Sequence, residues 1–361
     1  MKHLVKPRIL NIQPYVPGKP IEDVKRELGL KEVIKLASNE NPYGPSPKVV
    51  KAIAQAAKGI NRYPDGSCYE LRQALSKFLK VFPSQLIFGN GSDELIVLAA
   101  RGFLNEEDEV IIAKPSFLIY ELASKILGAN IKEIPLKNFH YDLSGMRAVV
   151  TEKTKIIFLG NPDNPAGSYL TEDEVRNFLK DLSKDILVFI DEAYYEFVDQ
   201  KDYVHSLALL KDYPNVIVTR TFSKMYGLAG LRIGYGVANA ELIDILNRLR
   251  EPFNVNSLAQ VAALACLKDQ KYYQKLANDV KKQRAFLYKN LERLNLEYVK
   301  TYTNFILVKL NQDSKSMTEE LLRKGIIVRD MSVWGLKNFI RITMGTDMEN
   351  KQLIKVLEDI L

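Results

Sequence analysis

The run Thr219-Arg220-Thr221-Phe222-Ser223-Lys224-Met225-Tyr226-Gly227-Leu228-Ala229-Gly230-Leu231-Arg232-Ile233-Gly234-Tyr235 decides how the rest of the chain is read. A β-rich stretch from Asn215 leads into it, and Lys224 stands among small and hydroxylated residues. The segment is too apolar to be ordinary surface. A lysine that is partly desolvated and close to other cations loses its proton readily, and the neutral amine attacks a carbonyl carbon. Lys224 therefore has the surroundings a Schiff-base lysine needs. Arg232, beyond Gly227 and Gly230, supplies a fixed cation suited to a phosphate, and Arg232 to Val237 reads as a strand returning into the sheet.

Working outward, polar and aromatic residues recur where apolar strands end. Leu86-Ile87-Phe88 reads as a short buried strand, followed by Gly89-Asn90-Gly91-Ser92 and a helix opening at Asp93. Strand, glycine loop and helix N-terminus make a phosphate cradle, because the first N–H groups of a helix lack internal partners. Val110 to Ile112 leads to Pro115-Ser116-Phe117, and Ile156 to Leu159 leads to Gly160-Asn161-Pro162-Asp163-Asn164-Pro165-Ala166-Gly167. Ile186 to Ile190 is the most apolar strand, as expected at the centre of a parallel sheet. It ends in Asp191-Glu192-Ala193-Tyr194. A carboxylate there is costly unless paired. Strand carboxyl ends are where open α/β sheets bind ligands. The fold class expected is α/β, with a doubly wound, mostly parallel sheet and a smaller α+β unit.

The flanks complete the division. Residues 1–35 read as an N-terminal arm and part of the small domain, 36–245 as the large domain, and 246–361 as the small C-terminal domain. Ile12 to Pro20, with Tyr15 inside it, is too proline-rich for regular structure. Asn39-Glu40-Asn41-Pro42 enters a proline-glycine loop in which both asparagines suit turns. A helix is expected over Pro47 to Lys58, followed by Arg62-Tyr63-Pro64. Thr171 to Glu174 is a capping box. Beyond Leu242 helices dominate, at 242–249, 257–267 and 272–294, with a last one from Asp347. Strands are expected at Thr303–Val308, Ile326–Val328 and Phe339–Thr343. Arg329 follows one strand directly. Arg341 lies inside another, where a buried cation needs a partner.

Composition narrows the classes. The chain has 361 residues, 47% of them hydrophobic, enough for two domains with a substantial core. It has no apolar run of membrane-spanning length and no signal-peptide pattern. The formal net charge of +7 is spread along helices and mixed with acids, unlike a nucleic-acid binder. The densest run, Lys281-Lys282-Gln283-Arg284, reads as a solvated helix face. Cys68 and Cys266, the only two cysteines, form no metal-ligand pattern and suit a reducing cytoplasm. No metal site is expected.

Thr-Phe-Ser-Lys followed by Gly-Leu-Ala-Gly-Leu-Arg resembles the lysine segment of fold-type I, pyridoxal-phosphate-dependent aminotransferases, and within them the histidinol-phosphate aminotransferases most. The resemblance covers nearly the whole chain. It implies that Lys224 holds pyridoxal 5′-phosphate and then serves as base and acid. It places Gly91, Ser92, Asp93, Thr221, Ser223 and Arg232 at the cofactor phosphate, and Phe117 flat on the pyridine ring. It puts Asn164 and Tyr194 at the phenolic oxygen and Asp191 at the ring nitrogen, making the ring an electron sink. Asp163 and Ala166 depart from the asparagine and threonine more usual there. Tyr63 matches a tyrosine that reaches the cofactor phosphate of a partner subunit, which implies a homodimer with shared sites. Tyr15, Asn39, Arg329 and Arg341 match substrate-binding positions; for Tyr15, plain packing is the other reading.

The implied reaction is a ping-pong transamination of L-histidinol phosphate with 2-oxoglutarate, giving imidazole-acetol phosphate and L-glutamate, in L-histidine biosynthesis. Aromatic aminotransferases and threonine-phosphate decarboxylases share much of the pattern and stay open as alternatives. Aminotransferase-like transcription regulators carry an N-terminal winged helix, for which the residues ahead of Asn39 are too few.

Overall fold

The computed structural model describes residues 1–14 and 18–361; Tyr15, expected near the substrate, lies outside the described residues. Two 3-10 turns, Lys2–Leu4 and Pro7–Asn11, open the chain. The helix Ile21–Leu28 then stops at Gly29, whose φ of 67° is the left-handed cap that glycine adopts without a Cβ penalty. Strand β1 (Ile34–Leu36) follows.

Seven strands form the large sheet: β2 (Leu86–Gly89), β3 (Glu109–Lys114), β4 (Asn130–Pro135), β5 (Thr154–Gly160), β6 (Leu187–Asp191), β7 (Val216–Thr221) and β8 (Gly234–Ala238). Their order is β2-β8-β7-β6-β5-β3-β4. Only β8 runs against its neighbours; the remaining pairs are parallel. This is the expected doubly wound α/β sheet, with β6 at its centre.

The central strands β5 and β6 are apolar because both faces are covered, whereas the edge strand β4 mixes apolar with exposed polar residues. In β5, Ile156 and Phe158 pack into one cluster while Ile157 and Leu159 pack into the other. Leu187 and Phe189 alternate with Val188 and Ile190 in the same way along β6. Phe189 is fully buried, and truncating such a side chain to alanine costs about 3–5 kcal/mol. The helices Ser92–Phe103 and Leu118–Leu127 cover one face, and Glu172–Lys180 and Ser257–Leu267 the other. The expected capping box starts the helix Glu172–Lys180: Thr171 N–H donates to Glu174 Oε2 at 2.8 Å, and Glu174 N–H to Thr171 Oγ1 at 3.3 Å.

A second sheet has the order β1-β11-β12-β10-β9, where β9 is Tyr298–Val299, β10 Phe305–Lys309, β11 Ile326–Asp330 and β12 Phe339–Thr343. β1 joins it as a parallel edge strand, with Ile34 opposite Ile326. β12 pairs antiparallel with β11, placing Arg329 opposite Arg341.

Several local readings need correction. Arg329 lies within β11 rather than after it, and β10 starts at Phe305, two residues later than expected. Arg232 is not in a strand: its φ of 56° puts it in a left-handed turn two residues ahead of β8. The helix from Pro47 ends at Ala56 and tightens to a 3-10 turn through Gly59. Arg284 is not on a solvated face. It is buried, donating to the Thr301 carbonyl at 3.1 Å and to Asp199 at 3.3 Å, because only the lysines of that run face outward from the helix Gln270–Arg293.

Candidate active site

The carboxyl ends of the large sheet and the small sheet together enclose a cavity of about 390 Å³. One end is an anion cradle. Gly91, at φ 81°, caps the helix Ser92–Phe103 and leaves its first N–H groups without helical partners. The Arg232 guanidinium lies beside it, donating to Ser223 Oγ at 3.5 Å, the Ala229 carbonyl at 3.3 Å and Asp93 Oδ2 at 3.3 Å. Thr221 Oγ1 accepts from the Ser223 N–H at 3.1 Å. A Cβ on Gly91 would run into the Arg232 guanidinium, and one on Gly234 into the Ser92 nitrogen. The close approach therefore requires glycine at both positions.

Lys224 extends into the middle of the cavity, where Nζ donates to the Ser38 carbonyl at 3.3 Å. Burial pushes its pKa down to about 8; Arg341 and, less strongly, Arg232 push the same way against Asp93 and Glu40. An amine near neutrality at physiological pH is a competent nucleophile and base.

Asp191 closes β6 at the floor, with 6% of its surface exposed. Burial raises its carboxyl to about 6, while hydrogen bonds from Tyr120 and Ala193 hold it down. The Tyr194 hydroxyl accepts from Asn39 Nδ2 at 2.8 Å, and burial pushes its pKa up to about 12, so it stays a neutral donor. Asn39 is itself clamped by the small sheet. Its N–H donates to Thr343 Oγ1 at 2.9 Å, and Asn304 Nδ2 donates to its carbonyl at 3.0 Å.

On the opposite side, the buried Arg341 donates to Asn164 Oδ1 and, at 3.3 Å, to the Ala37 carbonyl. This leaves the Asn164 amide hydrogens for a ligand. Phe117 lines the wall, edge-on to Tyr120 at 5.6 Å. Arg329 also lines the cavity.

The structure thus brings Asn39, Ser92, Asp93, Phe117, Asn164, Asp191, Tyr194, Thr221, Ser223, Lys224, Arg232, Arg329 and Arg341 around one space. Tyr63 is elsewhere. The residue is 83% exposed, with its ring stacked on Phe253 at 4.8 Å, outside this chain's cavity. Sequence reasoning missed Tyr120, Trp334 and the Ser38 carbonyl. An aromatic in an apolar helix carries no signal beyond core packing, and a backbone carbonyl carries none at all.

A helix-capped anion cradle, a depressed lysine and a buried carboxylate across from it fit pyridoxal phosphate, an aldehyde with a phosphate arm and a basic ring nitrogen. Residues 31–357 match the family model for aminotransferase class I and II, and the chain belongs to that family of pyridoxal-phosphate-dependent transferases. It is 48% identical over 354 residues to the histidinol-phosphate aminotransferase of Moorella thermoacetica, covering 98% of this chain and 92% of that one. The histidinol-phosphate aminotransferase of Caldicellulosiruptor saccharolyticus is 47% identical, over 98% and 99% of the two chains. Among solved structures, that of the Sinorhizobium meliloti histidinol-phosphate aminotransferase in complex with pyridoxal-5′-phosphate superposes with a TM-score of 0.91 at 30% identity, covering 99% of this chain and 98% of that one. Thermus thermophilus aspartate aminotransferase with maleate, at 20% identity and a TM-score of 0.84 over 99% and 98% of the chains, shares the fold.

Proposed function

We propose that this enzyme transfers the amino group of L-histidinol phosphate to 2-oxoglutarate, giving imidazole-acetol phosphate and L-glutamate in L-histidine biosynthesis. The observation that carries the reading is Arg329 and Arg341, paired across β11 and β12, at the wall of the same cavity that Lys224 enters. A substrate with its own phosphate needs a second anion site, separate from the one that holds the cofactor. The names of the relatives at 48% and 47% identity support the same substrate.

Pyridoxal phosphate supplies an aldehyde for amine exchange and a ring that accepts the electron pair left when a substrate proton departs. The chain's own residues do the rest. Gly91, Ser92, Thr221, Ser223 and Arg232 would bind the cofactor phosphate, with Asp93 orienting Arg232. Asp191 would hold a proton at the ring nitrogen, Asn164 and Tyr194 would donate to the phenolic oxygen, and Phe117 would pack on the ring. Lys224 Nζ would hold the aldehyde carbon and, once the incoming amine has displaced it, would serve as the base and then the acid that moves the substrate Cα proton. Arg341 and Arg329 orient the substrate anion, and Asn39 fixes Tyr194 beside it.

The site reading includes a homodimer in the cytoplasm, with Tyr63 reaching the partner's cofactor phosphate. Exposed apolar side chains around Tyr63, among them Ile60, Tyr69 and Phe253, support that contact. The burial of both cysteines, neither in a disulfide, agrees with a reducing compartment. The reading divides the chain into 1–35, 36–245 and 246–361; the large sheet draws on residues 86–238 and most of the small one on 298–343, while β1 (Ile34–Leu36) crosses the first boundary and the helix Ser257–Leu267 packs on the large sheet.

The test is an absorbance titration of the cofactor-loaded protein. L-histidinol phosphate should convert the band of the lysine-linked cofactor to that of its aminated form, and 2-oxoglutarate should restore it. Conversion by phenylalanine or tyrosine alone would move the enzyme to the aromatic group. Carbon dioxide release from a phosphorylated amino acid would make it a decarboxylase.

A further inference from the structure

Trp334 is the chain's single tryptophan, and it is buried in the cavity wall. Three contacts converge on it. The guanidinium carbon of Arg329 is 5.1 Å from its ring centroid, and that of Arg341 is 5.8 Å away. Its indole N–H donates to the Ser116 carbonyl at 2.9 Å. Arg329 and Arg341 are register partners on β11 and β12, so their side chains rise from the same face of the sheet. Like charges placed directly opposite repel. An aromatic face attracts cations, so one ring beside both guanidiniums offsets part of that repulsion. Arg341 is also held by the Phe305 ring at 5.0 Å, by Asn164 and by the Ala37 carbonyl, so Trp334 governs the spacing of the pair chiefly by placing Arg329 against its ring.

We propose that Trp334 is the residue that sets substrate specificity at this site, by spacing Arg329 and Arg341 to take one phosphate monoester dianion between them. The proposal rests on the transamination reading above. A phosphate monoester presents three terminal oxygens and can meet two guanidiniums at once, whereas one arginine fork satisfies a carboxylate. Histidinol phosphate would engage both arginines, and the α-carboxylate of glutamate needs Arg341 alone. The bond to Ser116 adds a second consequence. Ser116 precedes Phe117, so the arginine pair on the small sheet is tied to the aromatic wall at the end of the large one. Trp334 acts on the substrate through its neighbours, as a positioning residue.

The first measurement uses the wild-type holoenzyme, whose bound cofactor fills the other phosphate cradle. Inorganic phosphate should produce a saturable change in tryptophan fluorescence, all of which comes from Trp334. Arg329→Gln should weaken that response about tenfold or more. Steady-state kinetics supply the second. Trp334→Leu should raise KM for L-histidinol phosphate about tenfold while KM for L-glutamate changes less than about threefold and kcat stays within about twofold. Trp334→Phe keeps a ring and should restore most of the ratio between the two KM values. If both KM values rise together in Trp334→Leu, or neither moves, the proposal is overturned. A wild-type enzyme that turns over no histidinol phosphate would overturn the substrate reading alone. The phosphate titration needs no turnover and still tests the paired-arginine phosphate site on which the role of Trp334 depends; no saturable change would overturn the proposal.

Discussion

The hydroxyl of Tyr120 donates to Oδ2 of Asp191 at 2.9 Å, from a ring stacked on Phe158 at 4.8 Å. The Ala193 N–H holds the other carboxylate oxygen at 3.1 Å. Both bonds favour the ionised carboxylate against the cost of burial, which has already raised its pKa to about 6. Tyr120→Phe removes one of them, so the pKa should rise further. A less ionised Asp191 holds a ring proton less well. We expect kcat near pH 7 to fall about tenfold and the acid limb of the pH–rate profile to move to higher pH. An unshifted limb would mean that Tyr120 only packs.

Lys224 depends on Arg341 for part of its low pKa. Capture of pyridoxal phosphate by the apoprotein requires the neutral amine, so its rate should climb through about pH 8. Arg341→Gln removes a cation that disfavours the protonated lysine. The midpoint of the rate profile should then move upward by about half a unit or more. The same depressed pKa has a stability consequence. The native apoprotein binds fewer protons than the unfolded chain between about pH 8 and the ordinary lysine range, so this group's contribution rises with pH across that window.

Asp163 behaves in the opposite sense. It is 1% exposed, accepts from Tyr141 at 3.2 Å and the Ala166 N–H at 2.9 Å, and burial raises it to about 7. The Asn164 N–H and the nearby His140 pull the other way. Its native pKa lies above the unfolded value, so its contribution is full at low pH and is lost as pH rises from about 4 to about 7. The total is on the order of 4 kcal/mol. Asp163→Asn mimics the protonated form and removes the titration. Urea unfolding at pH 5 and pH 8 should show the variant gaining on wild type by a few kcal/mol. Parallel curves at both pH values would count against a raised Asp163.

Tyr63 stands outside its own cavity with its hydroxyl unneeded by the fold, so Tyr63→Phe should leave unfolding unchanged. If the ring reaches a second subunit's cofactor phosphate, Kd for pyridoxal phosphate should weaken by about fivefold to tenfold. Equal Kd values would argue against a shared site.

Residues whose chemistry conflicts with their local surroundings were the ones legible in the sequence. A lysine in an apolar loop, an aspartate closing the most apolar strand and glycines ahead of a helix each mark themselves, and the cavity gathers the lysine, the aspartate and the Ser92-Asp93 helix start that follows the glycines. The sheet was legible because alternate strands and helices carry different periods. What escaped depends on distant partners. Tyr120 reads as one more core aromatic until Asp191, far along the chain, comes to meet it. Trp334 looks like loop packing until two arginines and Ser116 converge on it. Arg284 reads as one more surface cation until Thr301 and Asp199 turn it inward. Arg232 reads as strand because nothing local announces its positive φ.

The pairing of Ile34 with Ile326 ties an early segment of the chain to a late one. The residues just past β1 supply Ala37 to Arg341, Ser38 to Lys224 and Asn39 to Tyr194. During synthesis this strip has no docking edge until β11 and β12 emerge from the ribosome. The reactive lysine therefore gains its full surroundings late, and a prematurely terminated chain would keep the large sheet's cradle but lack the wall that makes the amine selective.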